Sequence, residues 1–316
     1  MTRQHRPNIA ASVRQRLLDQ ARSKRIDFNL LLTRYGLERF LYRLGCSEYR
    51  ERFILKGAML FPLWGVVSYR STRDVDLLGY GESELAALVE VFRRISRTEV
   101  ADDGVIFDPA SVQAEDIRDQ MEYAGTRIKL NADLAGARIH LQVDIGFGDV
   151  VTPAAATADY PTVLDQPAPH IRVYPRETVV AEKFQAMVHL GIANSRMKDF
   201  HDLWVLGSQF DFDGATLTAA LVRTFERRNT PLPNTVPLAL TPEFFLDDRK
   251  IRQWKAFLNR AGLEIKPELS EVAAFIAGFV MPLIDSGSHR GAPDGAWWQA
   301  GGPWQAGLAP TRHALI

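Results

Sequence analysis

At 316 residues and 35.5 kDa, with 46% hydrophobic and 24% charged residues, the chain has the composition of a globular protein of one large domain or two ordinary ones. Lys plus Arg and Asp plus Glu are equal at 38 each, so net charge points to no partner class and only the local distribution of charge can. The single cysteine, Cys46, excludes an intramolecular disulfide, and neither a signal-peptide core nor a membrane-length apolar run is present, which predicts a cytoplasmic protein.

Residues 10–44 repeat apolar side chains at three- and four-residue spacing with Arg and Lys between them, which predicts N-terminal helices with a solvated basic face. A nucleic-acid surface is the second reading of that face. "RFILKGAML" then predicts a short strand ending at Gly57 and a helical segment to about Trp64. "RDVDLLG" predicts a second strand, closed by Gly79 and Gly81, and "ESELAALVEVFRRI" an amphipathic helix. "YAGTRIKLNADL" and "ARIHLQVDIGFG" predict two paired strands with "AGA" at the turn. In the second of these, Ile139, Leu141, Val143 and Ile145 share one face, and His140, Gln142 and Asp144 the other.

Residues 151–177 read as a proline-bearing connector. "ETVVAEKFQAMVHLGI" and "SRMKDFHDLWVLGSQF" predict two helices, with more helix to about residue 283. From residue 286 the chain is rich in Gly, Pro and Trp without periodicity and reads as an extended tail, whose Trp297, Trp298 and Trp304 predict docking on its own domain before a partner. The order predicts an α+β fold: an N-terminal helical segment (1–50), a small mixed-sheet core (51–170), a helical C-terminal domain (171–285) and the tail (286–316).

Asp74 and Asp76 stand two apart on a strand and share a face, with Val75 turned to the core. Two close carboxylates persist where a cation neutralises them or water screens them. Alone, the pair reads best as an exposed strand face. Asp144, on the polar face of a later strand, changes the balance, because pairing these strands would gather three carboxylates. Such an oxygen set suits Mg²⁺, with Mn²⁺ the alternative, completed by phosphate oxygens and water. Gly57, at a strand-to-helix turn, lets backbone N–H groups approach a phosphate.

Lys183 falls among the apolar Val179, Ala186, Met187 and Leu190 of its helix. It either snorkels or aims an ammonium at a triphosphate. Asp199 borders the apolar flank of the next helix, near Leu203 and Leu206, while Asp202, three residues on, is predicted to point toward water. A structural Lys–Asp pair between helices is the plain alternative to a functional one. Arg70 shares strand parity with Asp74 and Asp76 and Arg73 does not, so Arg70 is the preferred phosphate clamp. Lys56, Lys129 and the cluster at Arg223, Arg227 and Arg228 are weaker candidates. "DFDG" is only a fragment of a calcium loop, the seven histidines show no zinc spacing, and "GYGESE" lacks the Lys-Ser/Thr of a P-loop.

With these motifs the chain resembles the AbiEii/MenT group of type IV toxin–antitoxin and abortive-infection toxins, within the DNA polymerase β-like nucleotidyltransferase superfamily. The resemblance is carried, in order, by "FILKGAMLF", "YRSTRDVDLLG", "LQVDIGFGDVV", "ETVVAEKFQAMV" and "NSRMKDFHDLW", over residues 53–204. Gly57-Ala58 stands where the superfamily usually has Gly-Gly or Gly-Ser. The resemblance implies a nucleotidyltransferase core in which Asp74, Asp76 and Asp144 hold Mg²⁺. It implies that Gly57, Arg70, Ser71 and Lys183 receive the NTP. Lys183 falls at the family's essential lysine, and Asp199 becomes a general base or the anchor of Lys183. Also implied are a toxin that adds NMP to the 3′ end of tRNA and so blocks translation, a cognate antitoxin that restrains it, and no membrane partner. Transfer to a protein or small molecule, and a non-catalytic RNA- or partner-binding module, are the other readings.

Overall fold

A computed structural model describes residues 8–66, 72–117, 125–263, 265–284 and 295–307. It divides the chain into two compact units: Met1–Gly148 with Ala156–Tyr174, and Asp149–Ala155 with Pro175–Ile316.

The first unit opens with helices α1 (Ile9–Lys24) and α2 (Phe28–Cys46). Each is capped by a side chain at its start: Asn8 accepts from the Ala11 amide at 3.0 Å and Asp27 from the Leu30 amide at 2.9 Å. Val13, Leu17 and Ala21 recur at four-residue spacing and are the buried residues of α1. The rest of the unit runs β1 (Phe53–Lys56), α3 (Leu60–Leu63), β2 (Asp74–Gly79), α4 (Leu85–Ser96), β3 (Ile106–Ile117), β4 (Gly125–Leu134), β5 (Ala137–Phe147), β6 (Ala156–Asp159) and β7 (His170–Val173). The seven strands form one mixed sheet in the order β3-β4-β5-β2-β1-β7-β6.

Two local features set its registers. Ala135 (φ 50°) and Gly136 (φ 81°) make a two-residue turn with both residues left-handed, which matches strand twist and pins Leu134 opposite Ala137. In the middle of the sheet β2 lies parallel to β5, with Asp74 opposite Gln142 and Asp76 opposite Asp144. On its other side β2 is antiparallel to β1, with Lys56 opposite Asp76. Helices α2 and α4 pack on the sheet through an aromatic cluster in which Phe92 lies 5.5 Å from Phe40 and 5.6 Å from Phe53. Three strands of this sheet are additions to the predicted set. β3 is one, and β6 and β7 occupy part of the stretch expected to be a connector.

The second unit is helical: α5 (Arg176–Leu190), α6 (Met197–Gln209), α7 (Gly214–Arg227) after a short strand β8 (Phe212–Asp213), α8 (Pro242–Phe245), α9 (Asp248–Ala261) and α10 (Leu269–Val280). The Asp149–Ala155 segment is held to these helices by polar contacts. The Thr178 hydroxyl donates to the Thr152 carbonyl and accepts from its amide, both at 2.8 Å, and Arg228 meets Asp149 at 2.8 Å. The tail is not simply extended. It forms β9 (Trp297–Trp298) and β10 (Trp304–Gln305), which join β8 in a three-stranded antiparallel sheet. Trp298 is 3% exposed, lies tilted against Phe279 with ring centroids 4.8 Å apart and donates its indole N–H to the Gly207 carbonyl at 2.7 Å. Among the described residues no helix is long and apolar enough to cross a membrane.

Candidate active site

In the first unit, strand alternation places the acidic pair as predicted. Val75 and Leu77 are fully buried, whereas Asp74 and Asp76, which alternate with them, are half-buried on the opposite face. The Thr72 hydroxyl donates to Asp74 Oδ1. Gly57 follows β1 with φ 74°, a conformation that side chains disfavour, and its backbone lies against Asp76. A Cβ at this position would overlap the Asp76 carboxylate, reaching 2.7 Å from its Cγ. Only glycine allows this approach. The helix expected to lend its N-terminus is a 3-10 turn, Gly57–Met59, followed by the four residues of α3, so an anion here would meet local amides without the field of a long helix.

Asp144 stands directly beside Asp76, on the neighbouring strand, but it is already engaged. Arg127, opposite it on β4, donates from Nε to Oδ1 and from Nη2 to Oδ2, each at 2.8 Å. Gln142 Nε2 adds contacts of 3.2 and 3.3 Å to the same two oxygens. Among the described residues no three His, Cys, Asp or Glu side chains are grouped to hold a metal ion. The hard-oxygen pair Asp74–Asp76 suits Mg²⁺ or Mn²⁺ completed by substrate and water; Asp144, as placed, serves Arg127.

The second unit contains a buried ionic network. Lys183 Nζ lies 2.7 Å from Asp199 Oδ1 and 2.7 Å from Asp202 Oδ2. Arg196 Nε approaches Asp199 Oδ2 at 2.7 Å, as an ion pair off the hydrogen-bond line. Both aspartates are fully buried, while Lys183 and Arg196 keep part of their side chains exposed. Burial works against the charge of Asp199, but Lys183 and Arg196 outweigh it and hold the carboxyl below its ordinary pKa. A carboxylate with depressed basicity and both oxygens occupied is suited to anchoring Lys183, and poorly suited to taking a proton from an acceptor hydroxyl.

Asp202 therefore departs from its predicted exposure, because its partner comes from another helix. Arg127 and Arg196 are the charged residues of these networks that the sequence did not single out. Arg127 carried no signal, since alternate charged residues on a strand are ordinary. Arg196 could have been noticed three residues before Asp199 at a helix start. Arg70 and Ser71 lie outside the described residues. Of the weaker candidates, Lys129 pairs with Glu115 at 2.7 Å, Arg228 pairs with Asp149, and Lys56 lies over the Tyr174 ring at 5.4 Å.

The family model described as the nucleotidyl transferase AbiEii toxin of type IV toxin–antitoxin systems matches residues 39–275. Among solved structures, the chain is similar to an H. pylori protein assigned as a nucleotidyltransferase. Identity is 14%, over 82% of this chain and 99% of that one, with a TM-score of 0.48. It is also similar to JHP933 from Helicobacter pylori, at 15% identity over 80% of this chain and 90% of that one, with a TM-score of 0.45. No curated protein matches.

Proposed function

This chain belongs to the AbiEii family of nucleotidyltransferase toxins of type IV toxin–antitoxin systems, and we propose that it transfers NMP from an NTP to a 3′-terminal hydroxyl of tRNA with Mg²⁺ at Asp74 and Asp76. The observation that carries this reading is the approach of Gly57 to Asp76. A glycine backbone in the left-handed region touches one carboxylate of a same-face pair in the middle of the sheet. That arrangement sets unhindered backbone beside two hard anionic ligands, the combination a metal-bound triphosphate needs.

When bound, the ion would neutralise phosphate charge and stabilise the departing pyrophosphate. The chain's own residues do the rest. Asp74 and Asp76 hold the ion, the Gly57 turn admits the phosphates, and Lys183, fixed by Asp199 and Asp202, supplies the family's lysine. The toxin would act in the cytoplasm on the translation apparatus, restrained by a cognate antitoxin.

Incubation with each α-labelled NTP, Mg²⁺ and total RNA, followed by sizing of the product, tests the reading. The expected product is tRNA-length RNA, and its label should disappear with Asp76→Ala. Label on protein or on a small molecule would move the acceptor. No label with any NTP would overturn the reading.

A further inference from the structure

Four charged side chains of the first unit stand in one row across four adjacent strands. Glu115 of β3, Arg127 of β4, Asp144 of β5 and Asp76 of β2 are successive register partners. Residues directly opposite one another share a face, so Arg127 stands in a row that runs into the acidic pair and ends at Lys56 of β1, opposite Asp76. In the next row the cation is Lys129, which is committed to Glu115 at 2.7 Å.

The contact between Arg127 and Asp144 is fork on fork, the geometry that fixes a guanidinium most firmly. Gln142 steadies the same carboxylate. Both Asp144 oxygens thus already accept donors, and a metal ion drawing on them would lie next to a permanent positive charge. Arg127, by contrast, spends two of its five N–H donors on Asp144, and 32% of its side chain is exposed. The hydrogen bonds to Asp144 are the largest influence raising the Arg127 pKa, and Asp74 is among the carboxylates that add to it, so its charge is felt at the far end of the acidic pair. A guanidinium held rigidly, charged at every pH, with free donors and beside a metal-binding pair is prepared for a phosphate.

We propose that Asp144 is a positioning residue and not a metal ligand, and that the Arg127 it holds contacts the phosphates of the incoming nucleotide; this rests on the nucleotidyl-transfer reading of the Asp74–Asp76 site. Two carboxylates, phosphate oxygens and water suffice for Mg²⁺, so the third acid is free for this duty. The phosphates that complete the ion's shell would lie on the same sheet face as Arg127.

The test uses the full-length chain as wild type, Asp144→Asn, Arg127→Ala, Arg127→Lys, the Asp144→Asn/Arg127→Ala double variant and Asp76→Asn, each verified as folded by near-UV circular dichroism. Mn²⁺ affinity is measured without nucleotide by electron paramagnetic resonance. Affinities for the four α,β-methylene NTPs and their nucleosides are measured by calorimetry. Arg127→Ala should weaken the preferred NTP analogue by about tenfold or more while leaving nucleoside affinity unchanged. Lysine at this position should not restore it, because the fork is lost. Asp144→Asn should have an effect of similar size, and the double variant should be no worse than Arg127→Ala, the coupling expected of residues acting as one unit. Mn²⁺ affinity should hold in all of these and collapse in Asp76→Asn.

Two results would overturn the proposal while leaving nucleotidyl transfer standing. One is a large loss of Mn²⁺ affinity in Asp144→Asn with a gain in Arg127→Ala, which makes Asp144 a ligand. The other is wild-type NTP affinity in Arg127→Ala, which makes the pair a cross-strand brace only. A wild-type chain that binds neither Mn²⁺ nor any NTP analogue would overturn the underlying reading and the proposal with it.

Discussion

Lys183 on α5 and Asp199 on α6 meet at 2.7 Å in the interior of the second unit, and the same ammonium reaches Asp202 at 2.7 Å. One lysine thus holds two buried carboxylates that would otherwise repel each other. Lys183→Ala should lower stability by about 3–5 kcal/mol, because removing one partner leaves uncompensated buried charge. Urea denaturation followed by circular dichroism measures it. NMP incorporation should also vanish where the variant is still fully folded. A folded Lys183→Ala protein with wild-type incorporation would confine this lysine to a structural role.

The acid limb of the stability curve should carry the imprint of Asp199. Its folded pKa is depressed, burial being outweighed by Lys183 and Arg196. The stability that its ionised form contributes is therefore present above the unfolded carboxylate pKa of about 3.9 and lost as pH falls through the lower folded value. Melting temperature measured from pH 6 downward should fall most steeply below about pH 4. Asp199→Asn should lower the plateau and flatten that fall. An unchanged slope in the variant would show that other carboxylates dominate.

Gly57 and Gly136 separate backbone strain from chemistry. Both have positive φ, 74° and 81°, yet a Cβ at 136 meets nothing within 4 Å while one at 57 overlaps Asp76. Gly136→Ala should cost about 1–2 kcal/mol through φ alone and keep NMP incorporation. Gly57→Ala should cost more and abolish incorporation, because the Asp76 carboxylate must move. Parallel melts and labelling assays make the comparison; full activity in Gly57→Ala would remove the glycine from the site.

Trp298 fastens the tail. It fills space against Phe275 and Phe279 and satisfies the Gly207 carbonyl. Trp298→Ala should destabilise the protein by about 3–5 kcal/mol, the range for buried aromatic truncations. Hydrogen exchange should rise around β8 and the C-terminal end of α6. Exchange limited to the tail would make the docking peripheral.

What could be read in the sequence followed from periodicity. The alternation of Ile139, Leu141, Val143 and Ile145 is the buried face of β5, and Val75 is buried between Asp74 and Asp76. β3 was hidden because its register shifts between Asp108 and Gln113, around Pro109, which breaks the two-residue rhythm. β6 and β7 are four residues each and set among prolines, too short for a period to show. The site residues divide in the same way. The facing of Asp74 and Asp76 is local geometry. The engagement of Asp144 by Arg127, and the burial of Asp202 by Lys183, depend on which strands and helices become neighbours, and no single segment encodes that.

The second unit takes the seven residues Asp149–Ala155 from between the two stretches of the first, so the chain passes from one unit to the other three times. No single cut in the gene separates them. A fragment beginning at Pro175 would lack Asp149, the partner of Arg228, and Thr152, both of whose backbone polar groups bind Thr178. The acid-bearing and lysine-bearing parts of this toxin are consequently bound to be inherited and expressed together, because recombination at any one breakpoint would leave at least one of them incomplete.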